Sequence, residues 1–181
     1  MGADVTVFDV DVARMRYIDE VWGGRIGTRF SSPLAVREAC GESDVVIGSV
    51  LVPGARTPHL VDHETVLGMV PGSVLVDIAV DQGGCFEDSH PTTHADPTFV
   101  VGGSVFYCVA NMPGAVPHTS TYALTNATMR YVLLLADEGW RGACGSRDDL
   151  RRGLATCGGK LVSAPVGEAL GIECVPVSEV L

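Results

Sequence analysis

The stretch S-V-L-V-D-I-A-V-D-Q-G-G-C-F-E-D-S-H-P-T-T-H-A-D-P-T-F, residues Ser73 to Phe99, decides the fold. Its first part, Ser73 to Val80, is short, almost wholly apolar and rich in Val and Ile. Such a run predicts a strand buried on both faces, as in a parallel sheet. The run stops on an acid, Asp81, followed by Gln82, Gly83 and Gly84. Open α/β sheets bind ligands where the carboxyl ends of strands meet their loops. A carboxylate there, with two glycines that admit close backbone approach, marks either a reactive site or a plain polar turn.

Working outward, the same grammar recurs. Val5 to Phe8 is a strand candidate with Asp9 at its end. Val12, Met15, Ile18 and Val21 repeat at helical spacing, and Gly23-Gly24 stops the helix. Arg25 to Phe30 reads as a second, more polar strand. Ser31-Ser32-Pro33 then opens a helix to about Cys40, with a serine cap and proline in the first turn. Val45 to Val52 reads as a buried strand ending in P-G-A-R-T-P, and a short helix follows at about Glu64 to Met69. After the 81–98 loop one more strand is expected, Val105 to Ala110. Close alternation of strand and helix is the signature of a parallel sheet with crossover helices. The predicted class is α/β, a Rossmann-like half spanning residues 1–116. A helical tail spans 117–181: a long helix Tyr122 to Gly139, pieces at Trp140 to Cys144 and Asp148 to Leu154, a small strand at Lys160 to Val162, and a helix Val166 to Leu170 closed by Gly171. The run Val132 to Leu135 covers nearly all sides of its helix, which predicts burial between layers.

A chain of 181 residues fits one domain, or two if one is incomplete. It is 46% hydrophobic with mean hydropathy +0.28, more apolar material than a small monomer needs. Net charge −10 and a pI near 4.7 argue against nucleic acid and anionic membranes as partners. No apolar run approaches the ~20 residues of a membrane span and no export signal is visible, so a soluble, cytoplasmic protein is expected. Cys40, Cys85, Cys108, Cys144, Cys157 and Cys174 include no C-x-x-C, the pattern of buried reduced thiols. Cys85 with His90 and His94 is a poor metal set, because proline in H-P-T-T-H denies the imidazoles a shared helix face; no metal is expected. His59, His63 and His118 read as solvated loop residues, and Glu87, Asp88 and Asp96 as a solvated face. Asp9, at a strand end before a helix, sits where nucleotide-binding sheets place the acid that bonds ribose hydroxyls. Many strands end in Asp, and no G-x-G-x-x-G occurs in support.

Longer words in the chain carry a resemblance. V-D-I-A-V-D-Q-G-G-C-F-E (76–87), P-T-T-H (91–94), Y-C-V-A-N-M-P-G-A-V-P (107–117) and T-S-T-Y-A-L-T-N-A-T (119–128) resemble the alanine dehydrogenase family. The likeness runs from Val5 to Leu181 and corresponds to about the C-terminal half of a family member. It implies NAD as cofactor. Asp9 matches the ribose-binding acid, Arg14 the basic residue beside the adenosine, and Ser31 a serine on the adenine side. Val50 and Leu51 match backbone contacts under the cofactor. Ile78, Ala79, Val80 and Asp81 match the segment along the nicotinamide, with Asp81 the catalytic aspartate. Val109, Ala110, Asn111 and Met112 match the second nicotinamide-side segment. Two positions depart from the family pattern: His90, where arginine is usual, and Arg130, where proline is usual. Arginine lets the helix run on.

The implied reaction is oxidative deamination of L-alanine to pyruvate and ammonium, with hydride passing to NAD. The resemblance further implies that the first strand, its glycine-rich turn and an N-terminal catalytic domain lie outside this chain, so the isolated chain is expected not to turn over. The implied partners are that N-terminal half or further copies of the chain, since family members form homohexamers. Two other readings stand beside this one. The chain is a non-catalytic assembly subunit, or the nucleotide-binding part of a transhydrogenase; D-Q-G-G-C-F-E and N-M-P-G-A-V-P favour alanine dehydrogenase over the latter.

Overall fold

The structure, a computed structural model, describes residues 2–52 and 55–181. It divides into two compact units, one of Met1–Ser49 with Pro58–Ala110 and one of Val50–Thr57 with Asn111–Leu181.

The first unit alternates strand and helix: β1 Thr6–Asp9, α1 Val12–Trp22, β2 Gly27–Phe30, α2 Pro33–Glu42, β3 Val45–Gly48, α3 His63–Leu67 and β4 Val74–Asp77, then β5 Thr98–Val101 and β6 Ser104–Tyr107. Local signals place the helices. Asp11 caps α1 by accepting the N–H groups of Ala13 and Arg14. Gly23 ends it in the left-handed region at φ 57°, a conformation without penalty only for glycine. Ser32 caps α2 through the Ala35 N–H, with Pro33 in the first turn.

The parallel strands fall in two sheets. β1 pairs with β2; β3, β4 and β6 are parallel, and β5 closes the other edge antiparallel to β6. The hairpin β5–β6 was not expected from the sequence. Its signal was present: Gly102-Gly103, both at positive φ (57° and 93°), joins two alternating runs, as two-residue hairpin turns require. The core lies on this sheet. Leu75, Phe106, Phe86 and Val66 are at most 1% exposed, and full burial of such side chains stabilises by about 1.5–3 kcal/mol each. Phe99 stacks on Phe106 at 5.0 Å and Phe86 meets Phe106 edge-on at 5.9 Å, geometries aromatic quadrupoles favour.

Three strands are shorter than their apolar runs; of these, the run 105–110 is a strand only to Tyr107. The run 45–52 forms a strand only to Gly48, with Val45 and Ile47 more than half exposed rather than buried. Its expected Pro53-Gly54 end lies outside the described residues. The run 73–80 ends as a strand at Asp77, whose side chain turns inward and accepts the Ala79 N–H at 3.0 Å. A side-chain bond to backbone two residues on replaces the next ladder bond and breaks the strand.

In the second unit α4, Pro117–Ser146, is broken at Gly139 (φ 67°, ψ 165°), so the expected stop at 139 and the helical piece after it are both present. Arg130 lies within continuous helix, its guanidinium 4.6 Å above the Tyr131 ring. α5 Asp148–Arg152, the hairpin of β7 Thr156–Cys157 with β8 Lys160–Leu161, and α6 Ala164–Leu170 follow. Gly171 closes α6 at φ 66°. Val132, Leu133 and Leu135 are exposed, against the expectation of burial. All six cysteines are free thiols, four of them buried.

Candidate functional site

In the first unit the predicted residues come to the carboxyl ends of parallel strands. Asp9 closes β1 opposite Phe30 of β2, so Ser31 follows alongside it, and the Ser31 N–H donates to the Asp9 carbonyl at 2.9 Å. The Asp9 carboxylate accepts the Asp11 N–H through Oδ1 at 2.9 Å. Among the described residues its second oxygen has no donor. Arg14 stands exposed in the first turn of α1. Asp9, Arg14 and Ser31 thus share one strand-pair end.

A second group forms where β4 and β6 end side by side, with Val76 opposite Tyr107. Ile78, Ala79, Val80 and Asp81 leave β4; Val109 and Ala110 leave β6. The Ile78 N–H donates to the Gly48 carbonyl at 2.8 Å, which ties the segment to the end of β3 as well. Ile78 is exposed, Ala79 and Val80 are buried, and Asp81 is exposed on a 3₁₀ turn, Val80–Gln82. The Ala110 N–H reaches the Thr92 carbonyl at 3.4 Å. Val50, Leu51, Asn111 and Met112 stand in the second unit. The Val50 carbonyl accepts the Thr57 hydroxyl at 3.5 Å, Leu51 is exposed, and Asn111 caps the 3₁₀ turn Met112–Ala115 through the Gly114 N–H at 3.2 Å.

One residue of this region escaped the sequence reading. Asp77 is fully buried. Its Oδ1 accepts the Ala79 N–H, and its Oδ2 accepts the N–H of Cys85 at 2.8 Å, the N–H of Phe86 at 3.4 Å and the Ser89 hydroxyl at 2.5 Å. Within V-D-I-A-V-D it looks like one strand residue among others; the only hint was an acid inside a run that should tolerate none. Gly84 serves this same carboxylate. It lies at φ 81°, and a Cβ there would come within 2.9 Å of Asp77 Oδ2 and 2.8 Å of Ser89 Cβ.

The histidines and acids expected to be solvated are partly engaged. His63 opens α3, its N–H donates to Glu87 Oε2 at 2.8 Å, and its Nδ1 lies 2.9 Å from Asp88. His59 Nε2 is 3.3 Å from the Gly83 carbonyl. His118 lies in the first turn of α4 with its ring 5.0 Å from that of Tyr122. The His90 ring stacks on Phe99 at 3.8 Å. Cys85 is buried, and among the described residues no group of three or more His, Cys, Asp or Glu is placed to hold a metal. No helix among them is long and apolar enough to cross a membrane. A recess of about 220 Å³ between α2 and α3, lined by Arg37, Gly41, Glu64, Thr65 and Gly68, holds none of the candidate residues.

The family model described as alanine dehydrogenase/PNT, C-terminal domain matches residues 1–164. The chain belongs to that family. An alanine dehydrogenase of Mycolicibacterium smegmatis is 58% identical over all 181 residues, which cover 49% of that protein. The alanine dehydrogenase/PNT C-terminal domain therefore accounts for most of this chain, and the chain spans about half the length of the curated relatives it matches. A solved L-alanine dehydrogenase superposes with TM-score 0.80 at 45% identity, over 94% of this chain and 47% of that one. A transhydrogenase from Sinorhizobium meliloti superposes with TM-score 0.64 at 26% identity, over 90% of this chain and 43% of its own. The fold is accordingly α/β and Rossmann-like.

Proposed function

We propose that this chain is the nicotinamide-nucleotide-binding portion of an alanine dehydrogenase, with NAD as cofactor and alanine and pyruvate as the substrate pair. The observation that carries the reading is the gathering of Asp9, Arg14 and Ser31 at one strand-pair end and of Ile78–Asp81 with Val109–Ala110 at another. Strand ends of open parallel sheets are where dinucleotides bind. The donor set fits the cofactor: a half-buried carboxylate with one oxygen uncommitted suits paired ribose hydroxyls, and an acid at that place favours a free 2′-hydroxyl, hence NAD over its phosphorylated form. Bound NAD would supply the hydride acceptor. Arg14 would lie beside the adenosine and Ser31 on the adenine side; backbone at Ile78–Val80 and Val109–Ala110 would line the nicotinamide. The Asp81 carboxylate would orient the substrate amine or the attacking water.

The remaining groups for turnover would come from a second half, matching the part of the relatives that this chain does not cover. The strand edges of β1 and β3 that have no strand partner among the described residues favour a further strand received there. A cytoplasmic location and assembly into oligomers belong to the same reading. Titration of the purified chain with NADH, followed by fluorescence, tests it. Saturable binding that Asp9→Ala weakens at least about tenfold is expected, with alanine-dependent NADH formation only when the other half is added. No binding by well-folded chain, alone or complemented, would overturn the reading. The S. meliloti likeness supports a second reading, a transhydrogenase nucleotide-binding part. Hydride exchange between nucleotides without alanine would favour it.

A further inference from the structure

We propose that Asp77 is a positioning residue whose buried carboxylate fixes the backbone that presents Asp81 and the Ile78–Val80 segment. The inference rests on the cofactor reading of that segment. The carboxylate is fully buried, and none of the four groups that donate to it is a cation. Burial of an acid without a counter-ion is costly unless convergent dipoles replace its hydration. Here they do, and where they come from matters. Ala79 precedes Asp81; Cys85, Phe86 and Ser89 follow it. One side chain therefore joins both ends of the loop that carries Asp81.

The loop between those ends is closed by its own bonds. The Ala79 carbonyl accepts the N–H groups of Gln82 and Gly84 at 2.9 and 3.0 Å. The far end is anchored again outside the loop. The Cys85 carbonyl accepts the Leu60 N–H at 2.7 Å, and the Glu87 N–H donates to the Val61 carbonyl at 3.0 Å. Gly48 leaves the space in which this anchor sits, because a Cβ there would lie 2.6 Å from Cys85 Cβ. Behind Ser89, the Cys108 thiol donates to its Oγ at 3.8 Å. Burial pushes the Cys108 thiol pKa up, so it keeps its proton and remains a donor. Ser89 thus has its hydroxyl proton free for Asp77.

No neutral replacement reproduces the arrangement. Asn in place of Asp77 puts an NH2 group where one oxygen stood, facing either the Ala79 N–H or the Cys85 and Phe86 N–H groups. Either orientation sets donor against donor. A site of this kind needs its reacting side chain held by locked support, since small displacements at a catalytic group cost rate steeply.

The test is Asp77→Asn in the full 181-residue chain, read in two ways. Amide hydrogen exchange is expected to speed up by about tenfold or more at Ala79, Cys85 and Phe86, with Val7 in β1 and Val105 in β6 unchanged. NADH binding should weaken about tenfold while binding of ADP-ribose, which lacks the nicotinamide, stays the same. Ser89→Ala, which keeps the acid and removes one donor, is expected to show the same selective pattern at smaller size, and it decides the matter if Asp77→Asn does not fold. Unchanged exchange at the three amides, or equal loss of NADH and ADP-ribose, would overturn the proposal. If the parent chain binds neither nucleotide, the cofactor reading fails by itself, and the exchange pattern still decides whether Asp77 holds the loop.

Discussion

Asp62 and Ser104 illustrate how much one polar atom's surroundings matter. Asp62 caps α3: its carboxylate accepts the Thr65 hydroxyl and the Thr65 N–H, and Arg37 Nη2 donates to it at 2.9 Å. These bonds, the Thr65 hydroxyl first, hold its pKa below the ordinary carboxylate value. A depressed folded pKa stabilises at any pH above the unfolded value, roughly 3.9, and that contribution fades as pH falls through the folded pKa. Asp62→Ala should therefore lower Tm relative to the parent at pH 5 to 7, and the gap should narrow below about pH 4. Thermal melts across that range check it; a gap that widens in acid would contradict the assignment. Ser104 is the reverse case. It is fully buried, and its Oγ has no hydrogen-bond partner among the described residues. A buried hydroxyl left unpaired costs about 1–3 kcal/mol, so Ser104→Ala should raise stability by about 1 kcal/mol in urea unfolding. Asp81, exposed on its turn, was legible in the sequence because an acid ending an apolar run stands out. Asp77 was not, because its role depends on donors two, eight, nine and twelve residues away.

Elements show the same divide between local signals and distant ones. The caps and stops at Asp11, Gly23, Ser32 and Gly171 are local, and they delimit their helices where the sequence reading put them to within a few residues. Strand lengths are not local. β4 loses its last three expected residues to the inward turn of Asp77, and β3 ends at Gly48, packed against Cys85 and Phe86. The β5–β6 hairpin depends on Gly102 twice: φ is 57°, and a Cβ would lie 2.6 Å from Leu67 Cδ2 of α3. Gly102→Ala is expected to destabilise the first unit by at least about 1 kcal/mol, read as a lower urea midpoint with an unchanged slope. In the second unit, α5 begins where Arg147 donates to both carboxylate oxygens of Asp149 and the Tyr131 hydroxyl adds a third bond at 2.9 Å. The Arg147 bond leads in holding the Asp149 pKa well below the usual carboxylate range. This contact joins the middle of α4 to the start of α5.

At the scale of the molecule the unusual quantity is exposed apolar surface. Tyr122, Leu124, Met129, Val132 and Leu133 on α4 are each about half exposed or more, as are Val45 and Ile47 on β3. Monomers rarely leave so much of one helix uncovered. The chain alone is expected to self-associate with increasing concentration, and Leu124→Glu with Leu133→Glu should shift it toward monomer. Sedimentation velocity across a concentration series decides this; a concentration-independent monomer would contradict it.

Alternation of short apolar runs with capped helices is encoded in period, glycine, proline and cap residues, which act within a few positions of themselves. So the α/β class, the parallel pairing of β1 with β2 and of β4 with β3 and β6, and Asp9 at the end of β1 followed from the sequence by itself. The resemblance of its longer words named the family that the matched model then established over residues 1–164. Tertiary structure alone decided where β3 and β4 stop, that residues 98–107 fold back as a hairpin on the sheet, and that Asp77 rather than a solvated turn holds the Asp81 loop. The reason is physical. A buried carboxylate is defined by the donors that converge on it, and those converge only when chain segments far apart in sequence have packed.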